Sequence, residues 1–516
     1  MLSNRRRFSR VFACSALAMC AAITRCAAPQ RAPRVDRAES TGGLRGAKAP
    51  IAAAPREPAP PAAVLGLPTI QPRLGEPLAG LTPYQLARFE AGREAFSRVL
   101  RPEHGLGPVH NLVSCRVCHS NPTGGSGTIS VTMFGMNTDD GGFDPLTDLG
   151  GPLLQGEYID DSCAERIPRE ANVIAERITS STLGAGLIEA IPDEAIRTIA
   201  DNQPPGLRGR VHWVRPLEAP ADSALRPGRF GWKSQIATVY SFSAVAAHHE
   251  LGITSRLLPE EVPPGGDAGL ALECDRVPDP EAYPDAEGLD YIDRVTDFQR
   301  LLAPPPQTPR SGMEGEAVFH KIGCADCHVP EFTTADDPSL EPALRARTIR
   351  PYSDFLLHDM GALGDGIAQG DAAGHELRTP PLWGFRIRFP VLHDGRIARS
   401  TLEGRAVGAI LSHAGEAAPA VDKFRSISPA ERARLISFLG SLGRVEFDDD
   451  GDNDVDLIDL RAFQGCLTGV APRHYNPDNR CSISDVDQDG DVDLADFSIF
   501  QRAFTASHYG STMAVP

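Results

Sequence analysis

The chain has 516 residues and a formal net charge of −17 at pH 7, with 51 Lys or Arg against 68 Asp or Glu. This length suits two or three domains, because a domain usually has about 100–200 residues. Much of the negative charge lies in residues 446–516, which hold 15 Asp or Glu and 4 Arg. No cluster of Lys and Arg of the kind that binds nucleic acid occurs, so the composition argues against a nucleic-acid partner.

The first 28 residues have the features of an export signal. Three arginines at 5–7 precede an apolar run at 11–22, which is the order of the charged and apolar regions in such signals. We expect cleavage near Ala27 or Ala28 and a protein that acts in the periplasm, at the cell surface or outside the cell. No later apolar run is long enough to cross a bilayer, so we expect no transmembrane span after signal removal.

A linker and a helix follow the signal. Residues 29–80 are rich in Ala and Pro and show no apolar periodicity, which is typical of a linker. Thr82-Pro-Tyr-Gln85 then predicts a helix start, with threonine as N-cap, proline at the first helical position and glutamine returning a hydrogen bond. Ser428-Pro-Ala-Glu431 predicts another helix in the same way. Gly92-Arg-Glu-Ala-Phe96 is matched by Gly315-Glu-Ala-Val-Phe319, a faint internal repeat.

Two C-x-x-C-H motifs carry the strongest functional signal. They are Cys115-Arg-Val-Cys118-His119 and Cys324-Ala-Asp-Cys327-His328. This pattern attaches c-type haem, since the two thiols form thioethers and the histidine ligates the iron. A zinc ribbon would place its two Cys pairs about 15–20 residues apart, whereas Cys118 and Cys324 are 206 positions apart. The motifs therefore predict two covalently bound haems.

The sixth iron ligand decides between electron transfer and contact with a substrate, because an open position admits peroxide or oxygen. For the second haem we expect Met360, 32 positions beyond His328, with His358 as the alternative. For the first haem the sequence leaves an open site and four nearby residues as alternatives: His104, His110, Met133 and Met136.

Three residues of the middle segment are candidates for catalysis. Glu189 is an isolated acid within the apolar segment 186–192, where it would serve as the acid/base of peroxide cleavage; an exposed carboxylate at a helix end is the alternative. Arg229 and Trp232 belong to Arg229-Phe-Gly-Trp-Lys233. The arginine would contact a haem propionate and the tryptophan would carry electrons between haems, although Trp232 also suits a plain core position.

The pattern of predicted elements indicates a mainly α fold. No sustained alternation of apolar and polar residues predicts long strands, and Gly- and Pro-rich loops are frequent. We expect a first haem lobe at 81–300 and a second at 301–445, both resembling cytochrome c, with an exposed Pro-rich insertion at 258–286.

The acidic tail, 446–507, predicts a small module of two calcium loops and two short helices. Acidic oxygens recur at positions 1, 3, 5, 9 and 12 of each loop, with Gly490 at the tight turn of the second loop and Asn453 in its place in the first. The pattern resembles the dockerin type I repeat, which implies two Ca²⁺ ions and a cohesin-like or cell-surface partner. The predicted ligands are Asp448, Asp450, Asp452, Asp456, Asp459, Asp485, Asp487, Asp489, Asp493 and Asp496.

Four of the eleven cysteines lie outside the signal and the haem motifs. In an oxidising compartment we expect them to pair. Cys466 and Cys481 would close a short loop in the tail, which leaves Cys163 and Cys274 for each other by elimination.

Several segments, in order between about residues 80 and 442, resemble the bacterial di-haem c-type oxidoreductases, whose members carry the labels peroxidase or thiol oxidoreductase. The family is related to di-haem cytochrome c peroxidases and to the di-haem enzyme that matures methylamine dehydrogenase. The resemblance implies that one haem accepts electrons and the other meets the oxidant. The segments that carry it are Gly105-Leu-Gly-Pro108, Gly186-Leu-Ile-Glu-Ala-Ile-Pro-Asp193, Arg229-Phe-Gly-Trp-Lys233, Leu251-Gly-Ile-Thr-Ser255, Arg378-Thr-Pro-Pro-Leu-Trp-Gly384, Leu392-His-Asp-Gly395 and His413-Ala-Gly-Glu-Ala417.

We therefore expect an exported di-haem oxidoreductase of the peroxidase type. Electrons from a small donor protein or cytochrome would enter at the haem of His328 and Met360, and the haem of His119 would reduce peroxide or oxidise a substrate. The alternatives are a di-haem electron carrier without peroxidase activity, tethered by its tail, and a scaffold in which the tail matters most.

Overall fold

The computed structural model describes residues 74–306, 315–449, 454–468, 481, 484–486 and 491–504. The predicted signal and nearly all of the predicted linker lie outside this part of the chain. So do four of the predicted calcium ligands, which are Asp450, Asp452, Asp487 and Asp489.

The fold mixes helices with several small sheets, so the prediction of a mainly α protein is wrong. Helices, including 3-10 turns, hold 38% of the described residues and strands 12%. Most strands are only two or three residues long, and strands this short leave no alternating pattern in a sequence. They form within the Gly- and Pro-rich segments that the sequence indicated as loops.

Thirteen α-helices occur in the described part of the chain. Their bounds are α1 (Pro83–Ser97), α2 (Cys115–Cys118), α3 (Ala185–Glu189), α4 (Asp193–Asp201), α5 (Val239–Leu251), α6 (Ala268–Cys274), α7 (Tyr291–Leu301), α8 (Glu316–Ile322), α9 (Leu402–Ser412), α10 (Ala418–Ser426), α11 (Pro429–Ser441), α12 (Leu457–Gln464) and α13 (Leu494–Ala503). None of them has the length and apolar character that a membrane span requires. The capping boxes predicted at Thr82 and Ser428 are confirmed. The side chain of each cap accepts a hydrogen bond from the backbone N–H of the third helical residue, whose own side chain accepts one from the backbone N–H of the cap.

Within the described ranges the strands pair only antiparallel. One sheet has three strands in the order β3-β2-β5, and four sheets have two strands each: β1-β4, β6-β7, β8-β9 and β10-β11. The strand bounds are β1 (Val109–His110), β2 (Ser130–Asn137), β3 (Phe143–Asp144), β4 (Glu157–Tyr158), β5 (Val173–Ile178), β6 (Trp213–Val214), β7 (Arg226–Pro227), β8 (Phe332–Thr333), β9 (Thr348–Ile349), β10 (Leu357–Asp359) and β11 (Glu376–Arg378).

The same helix crossing occurs twice and explains the internal repeat. A Cβ atom added at Gly92 of α1 would lie 2.4 Å from the carbonyl oxygen of Arg294 in α7. One added at Gly315, just before α8, would lie 2.0 Å from the carbonyl oxygen of Arg434 in α11. Only glycine allows backbones to approach this closely. Each glycine therefore sets the contact between the helix before a C-x-x-C-H motif and a later helix.

A phenylalanine four residues after each glycine extends this crossing to the motif histidine. The ring centre of Phe96 lies 4.7 Å from that of Phe298 and 5.8 Å from that of His119. The ring centre of Phe319 lies 5.3 Å from that of Phe438 and 6.3 Å from that of His328. In both halves, then, the core of the helix pair is packed directly against the predicted proximal ligand.

The tail contributes two short helices around a core of its own. Val455 and Val492, at the same position of the two predicted calcium loops, are completely buried with Phe463 and Phe500. Both predicted disulfides, Cys163–Cys274 and Cys466–Cys481, are confirmed.

Candidate haem sites

A cavity of about 290 Å³ adjoins the second motif. Cys324, Cys327 and His328 all line it, among mainly apolar side chains. Nδ1 of His328 donates a hydrogen bond to the carbonyl of Tyr352 at 3.0 Å, which leaves Nε2 for a metal. Burial lowers the pKa of His328 to about 4, so the imidazole is neutral at pH 7, as a metal ligand must be.

Both residues predicted as the sixth iron ligand of the second haem, Met360 and His358, lie in this cavity. They differ in whether a lone pair is free to bind iron. Met360 lines the cavity beside the motif. His358 also lines it, but its Nε2 lies 2.9 Å from Asp354 and its Nδ1 2.8 Å from Glu416. Burial by itself would lower the pKa of His358, yet its hydrogen bonds to Asp354 and Cys327 raise it to about 11. An imidazolium held between two carboxylates has no lone pair for iron, so the geometry favours Met360 over His358.

His413 is a further candidate for the sixth ligand of the second haem. In the sequence it stands out only as part of a segment that resembles the di-haem oxidoreductases. Its ring centre lies 6.5 Å from that of His328 across the cavity. Its Nδ1 is hydrogen-bonded to the carbonyl of Ala409 at 2.7 Å, the same arrangement that holds His328. The separation leaves room for one metal ion with a bond of about 2 Å to each ring. No spacing rule connects residues 328 and 413, so only the fold shows this pair.

Helix α2 contains the two cysteines of the first motif, and His119 follows directly after it. The Nδ1 of His119 lies 3.1 Å from the carbonyl oxygen of Gly125, and burial lowers the pKa of His119 to about 4. Thr179 and Ser180 form hydrogen bonds with Cys118 and His119 respectively. Both residues also line a second cavity, of about 40 Å³.

The four sequence candidates for the first haem's sixth ligand are spread widely. His104 is exposed at the end of a 3-10 turn, and His110 is buried on β1 with no hydrogen-bond partner at Nδ1. Met133 is buried with Leu153 and Ile367, and Met136 is half-buried on the same strand β2. The structure does not single out any of them.

Glu189 is engaged by a salt bridge. Its carboxylate lies 2.7 and 3.0 Å from two nitrogens of Arg300 and accepts a hydrogen bond of 2.8 Å from the backbone N–H of Val239. A different acid, Glu250, lies closer to the first motif. Its charge acts on both Cys115 and Cys118, burial raises its own pKa, and Asn111 donates to it at 2.7 Å. Sequence reasoning missed Glu250, because nothing local marks it.

Arg229 is completely buried and fixes the segment that carries Glu189. Its guanidinium donates to the carbonyls of Ile188, Glu189 and Ile191, at 3.3, 3.2 and 2.7 Å, and pairs with Asp193. These hydrogen bonds and the pair with Asp193 fix the backbone turn that follows α3.

Trp232, Arg378 and Arg388 line both cavities. The indole N–H of Trp232 donates to the carbonyl of Ile178 at 3.0 Å, which fixes the ring. Burial lowers the pKa of Arg378 to about 9 and that of Arg388 to about 10. No carboxylate in the described part of the chain forms an ion pair with either arginine. Arg378 is buried and Arg388 half-buried. Two such cations without an anion, next to thiols and a free imidazole nitrogen in an apolar cavity, fit a haem with its propionates.

These features fit a protein that binds haem at its C-x-x-C-H motifs. The family model described as "Di-haem oxidoreductase, putative peroxidase" matches residues 157–442, more than half of the chain. The chain belongs to this family, and it is therefore an enzyme, a di-haem oxidoreductase with two haems and peroxidase-like function. The first motif lies before the matched range.

Two solved structures align with much of the chain, both with a low TM-score. A MauG-like protein associated with microbial copper homeostasis is 16% identical, with 73% of this chain and 92% of that chain covered and a TM-score of 0.32. The hydrazine synthase of Kuenenia stuttgartiensis is 12% identical, with 78% of this chain and 100% of that chain covered and a TM-score of 0.32. No curated protein matches the sequence.

Proposed function

We propose that the protein is an exported peroxidase in which the haem on His328 receives electrons from a small donor protein and the haem on His119 reduces peroxide. The single observation that supports electron transfer between the two halves of the chain is Trp232, which lines both cavities. Bound haem supplies the one-electron chemistry. Each peroxide takes up two electrons and two protons and leaves as two waters, so the chain must provide an electron path and a proton donor.

Two acids are candidates for the proton donor. Glu189 has the expected sequence position, but its salt bridge to Arg300 must open before it can act. Burial raises the pKa of Glu250, which makes it a better candidate for holding and passing a proton than an exposed glutamate. We favour Glu250 for proton transfer and Glu189 for holding α3 against α7. Glu250→Gln should then reduce peroxide turnover more than Glu189→Gln at equal haem content.

Two residues compete for the sixth position of the second haem. His413 is favoured by its distance from His328 and by the backbone hydrogen bond that fixes its tautomer. Met360 is the alternative. Absorption and electron paramagnetic resonance spectra of His413→Ala and Met360→Leu separate them, because only loss of the true ligand converts that haem from low spin to high spin.

The experiment that tests the electron path is peroxide turnover by Trp232→Phe with a reduced small cytochrome as donor. We expect turnover to fall at least tenfold while the spectra of both haems stay unchanged. Unchanged turnover would overturn the proposed path. Turnover by a variant that lacks the second motif would overturn the proposed entry of electrons at His328.

We also propose that the tail binds two Ca²⁺ ions and a cohesin-like or cell-surface partner. The two loops close in the same way: Asp459 accepts from the N–H of Asp449, and Asp496 accepts from the N–H of Val486, both at 2.7 Å. Equivalent carboxylates of the two loops also lie close together. In the first loop these are Asp454, Asp456 and Asp459, and in the second Asp491, Asp493 and Asp496. Chelation with EGTA should lower the melting temperature of the tail, whereas an unchanged value would contradict calcium binding there.

A further inference from the structure

A second group of carboxylates lies far from the tail, in the Pro-rich segment 258–286. The disulfide Cys163–Cys274 links this segment to the first half of the chain. Val262 packs with Val109 of β1 in the small core beside that disulfide. Buried contacts thus dock part of the segment, although many of its residues are exposed, as its prolines indicated.

Three acidic side chains of the segment converge. One oxygen from each of Glu261, Asp275 and Asp279 lies within 4.8 Å of the others. Asp275 and Asp279 are only 7% and 6% exposed. Each of the three residues has a buried oxygen without a hydrogen-bond donor: Oε2 of Glu261, Oδ2 of Asp275 and Oδ1 of Asp279.

The remaining oxygens show that this arrangement is built into the fold. Oδ1 of Asp275 accepts from the N–H of Val277 at 3.0 Å. Oδ2 of Asp279 accepts from the N–H of Thr254 at 2.8 Å and from the Thr254 hydroxyl. These bonds fix the two carboxylates, so that the unsatisfied oxygens stay in place.

Burying three carboxylates together is costly unless their charge is compensated. None of the described lysines and arginines forms an ion pair with any of them. The group must therefore hold either protons or a cation.

We propose that Glu261, Asp275 and Asp279 bind a divalent cation of the oxygen-preferring class, with calcium as the ion of choice. The three residues offer only carboxylate oxygens, which suit calcium rather than a softer metal. They come from irregular segments on both sides of α6, and calcium tolerates irregular coordination better than magnesium does.

The proposed ion would also support the first haem motif indirectly. A Cβ atom at Gly105 would lie 2.7 Å from the Cα atom of Asp279, so the segment 105–108 packs directly on this ligand. That segment leads through β1 to the motif at Cys115. The cation would fix the docked segment against the chain that enters the first haem site.

The test is the calcium content of the full-length protein after dialysis against calcium and removal of the free ion. We expect Asp275→Asn/Asp279→Asn to bind one Ca²⁺ fewer per chain than the wild type, whatever the tail binds. Glu260→Gln is the matched control, since it removes an exposed carboxylate next to Glu261, and it should keep the wild-type content. If the double variant does not fold, Glu261→Gln takes its place with the same expected loss.

A second readout separates a bound cation from shared protons. With a cation at the site, calcium should raise the melting temperature of the wild type and of Glu260→Gln more than that of the double variant. Equal calcium content in all three proteins would overturn the proposal. So would a double variant that is more stable than the wild type whether calcium is present or chelated. Neither outcome affects the haem assignments, which are read from absorbance.

Discussion

Asp365 is the centre of a buried charge group that joins the two halves of the chain. Its carboxylate lies 2.7 Å from Nε of Arg177 and 3.1 Å from Nζ of Lys233. All three side chains are almost completely buried, and Lys233 follows Trp232 directly. The backbone carbonyls of Ala373, Gly374 and Glu376 also accept from Lys233, but they carry no charge.

Asp365→Asn would leave two buried cations without a carboxylate. Removing one partner of a buried ion pair costs about 3–5 kcal/mol, which lowers the equilibrium constant for folding by about two to four orders of magnitude. The assay is urea unfolding of the full-length protein, followed by haem absorbance. Glu194→Gln is the control, because its pair with Arg197 is exposed and such pairs contribute little to stability.

The loss of stability in Asp365→Asn should also depend on pH. Burial lowers the pKa of Lys233 to about 8, and the attraction of Asp365 opposes this effect. Without Asp365 the pKa of the folded state falls further, while the unfolded lysine keeps its ordinary value of 10.5. Between these values the unfolded chain binds more protons, so the stability of the variant rises with pH. We expect a larger deficit at pH 6 than at pH 9. A deficit no larger than that of Glu194→Gln, or one that does not change with pH, would refute the reasoning.

Three further predictions follow from other parts of the fold. Gly92→Ala and Gly315→Ala should each destabilise the protein by about 1–3 kcal/mol in urea unfolding, because the added methyl group overlaps the backbone of α7 or α11. A variant as stable as the wild type would contradict the close helix crossing. Replacing Cys466 and Cys481 by Ser opens a 15-residue loop and should lower the free energy of unfolding of the tail by about 3 kcal/mol. Calorimetry should show the unfolding of the haem region unchanged, and a shift of both transitions would show that the tail does not unfold independently. His413→Ala should convert one haem to high spin and leave both covalently attached, whereas unchanged spectra would exclude His413 as a ligand.

Sequence reasoning was strongest where the relevant residues are close together in the chain. The two C-x-x-C-H motifs and the capping boxes at Thr82 and Ser428 depend on spacings of three or four residues, and the caps form as predicted. The fold class was wrong because strands of two or three residues carry no periodic signal.

Partners that are distant in sequence could not be predicted. Glu189 appeared as an isolated acid, but its partner Arg300 is 111 positions away. His413 lies 85 positions beyond His328, and the carboxylates of Glu261, Asp275 and Asp279 meet only after the disulfide-linked segment docks. The role of each of these side chains depends on a partner that only the folded chain brings next to it.

The central claim is that each C-x-x-C-H motif attaches one haem. Intact-mass spectrometry of the protein matured with haem tests it most directly, on the wild type and on variants with Cys115 and Cys118, or Cys324 and Cys327, replaced by Ser. We predict two added haem masses for the wild type and one for each variant. A wild-type protein without added mass, or a variant that keeps both haems, would contradict it.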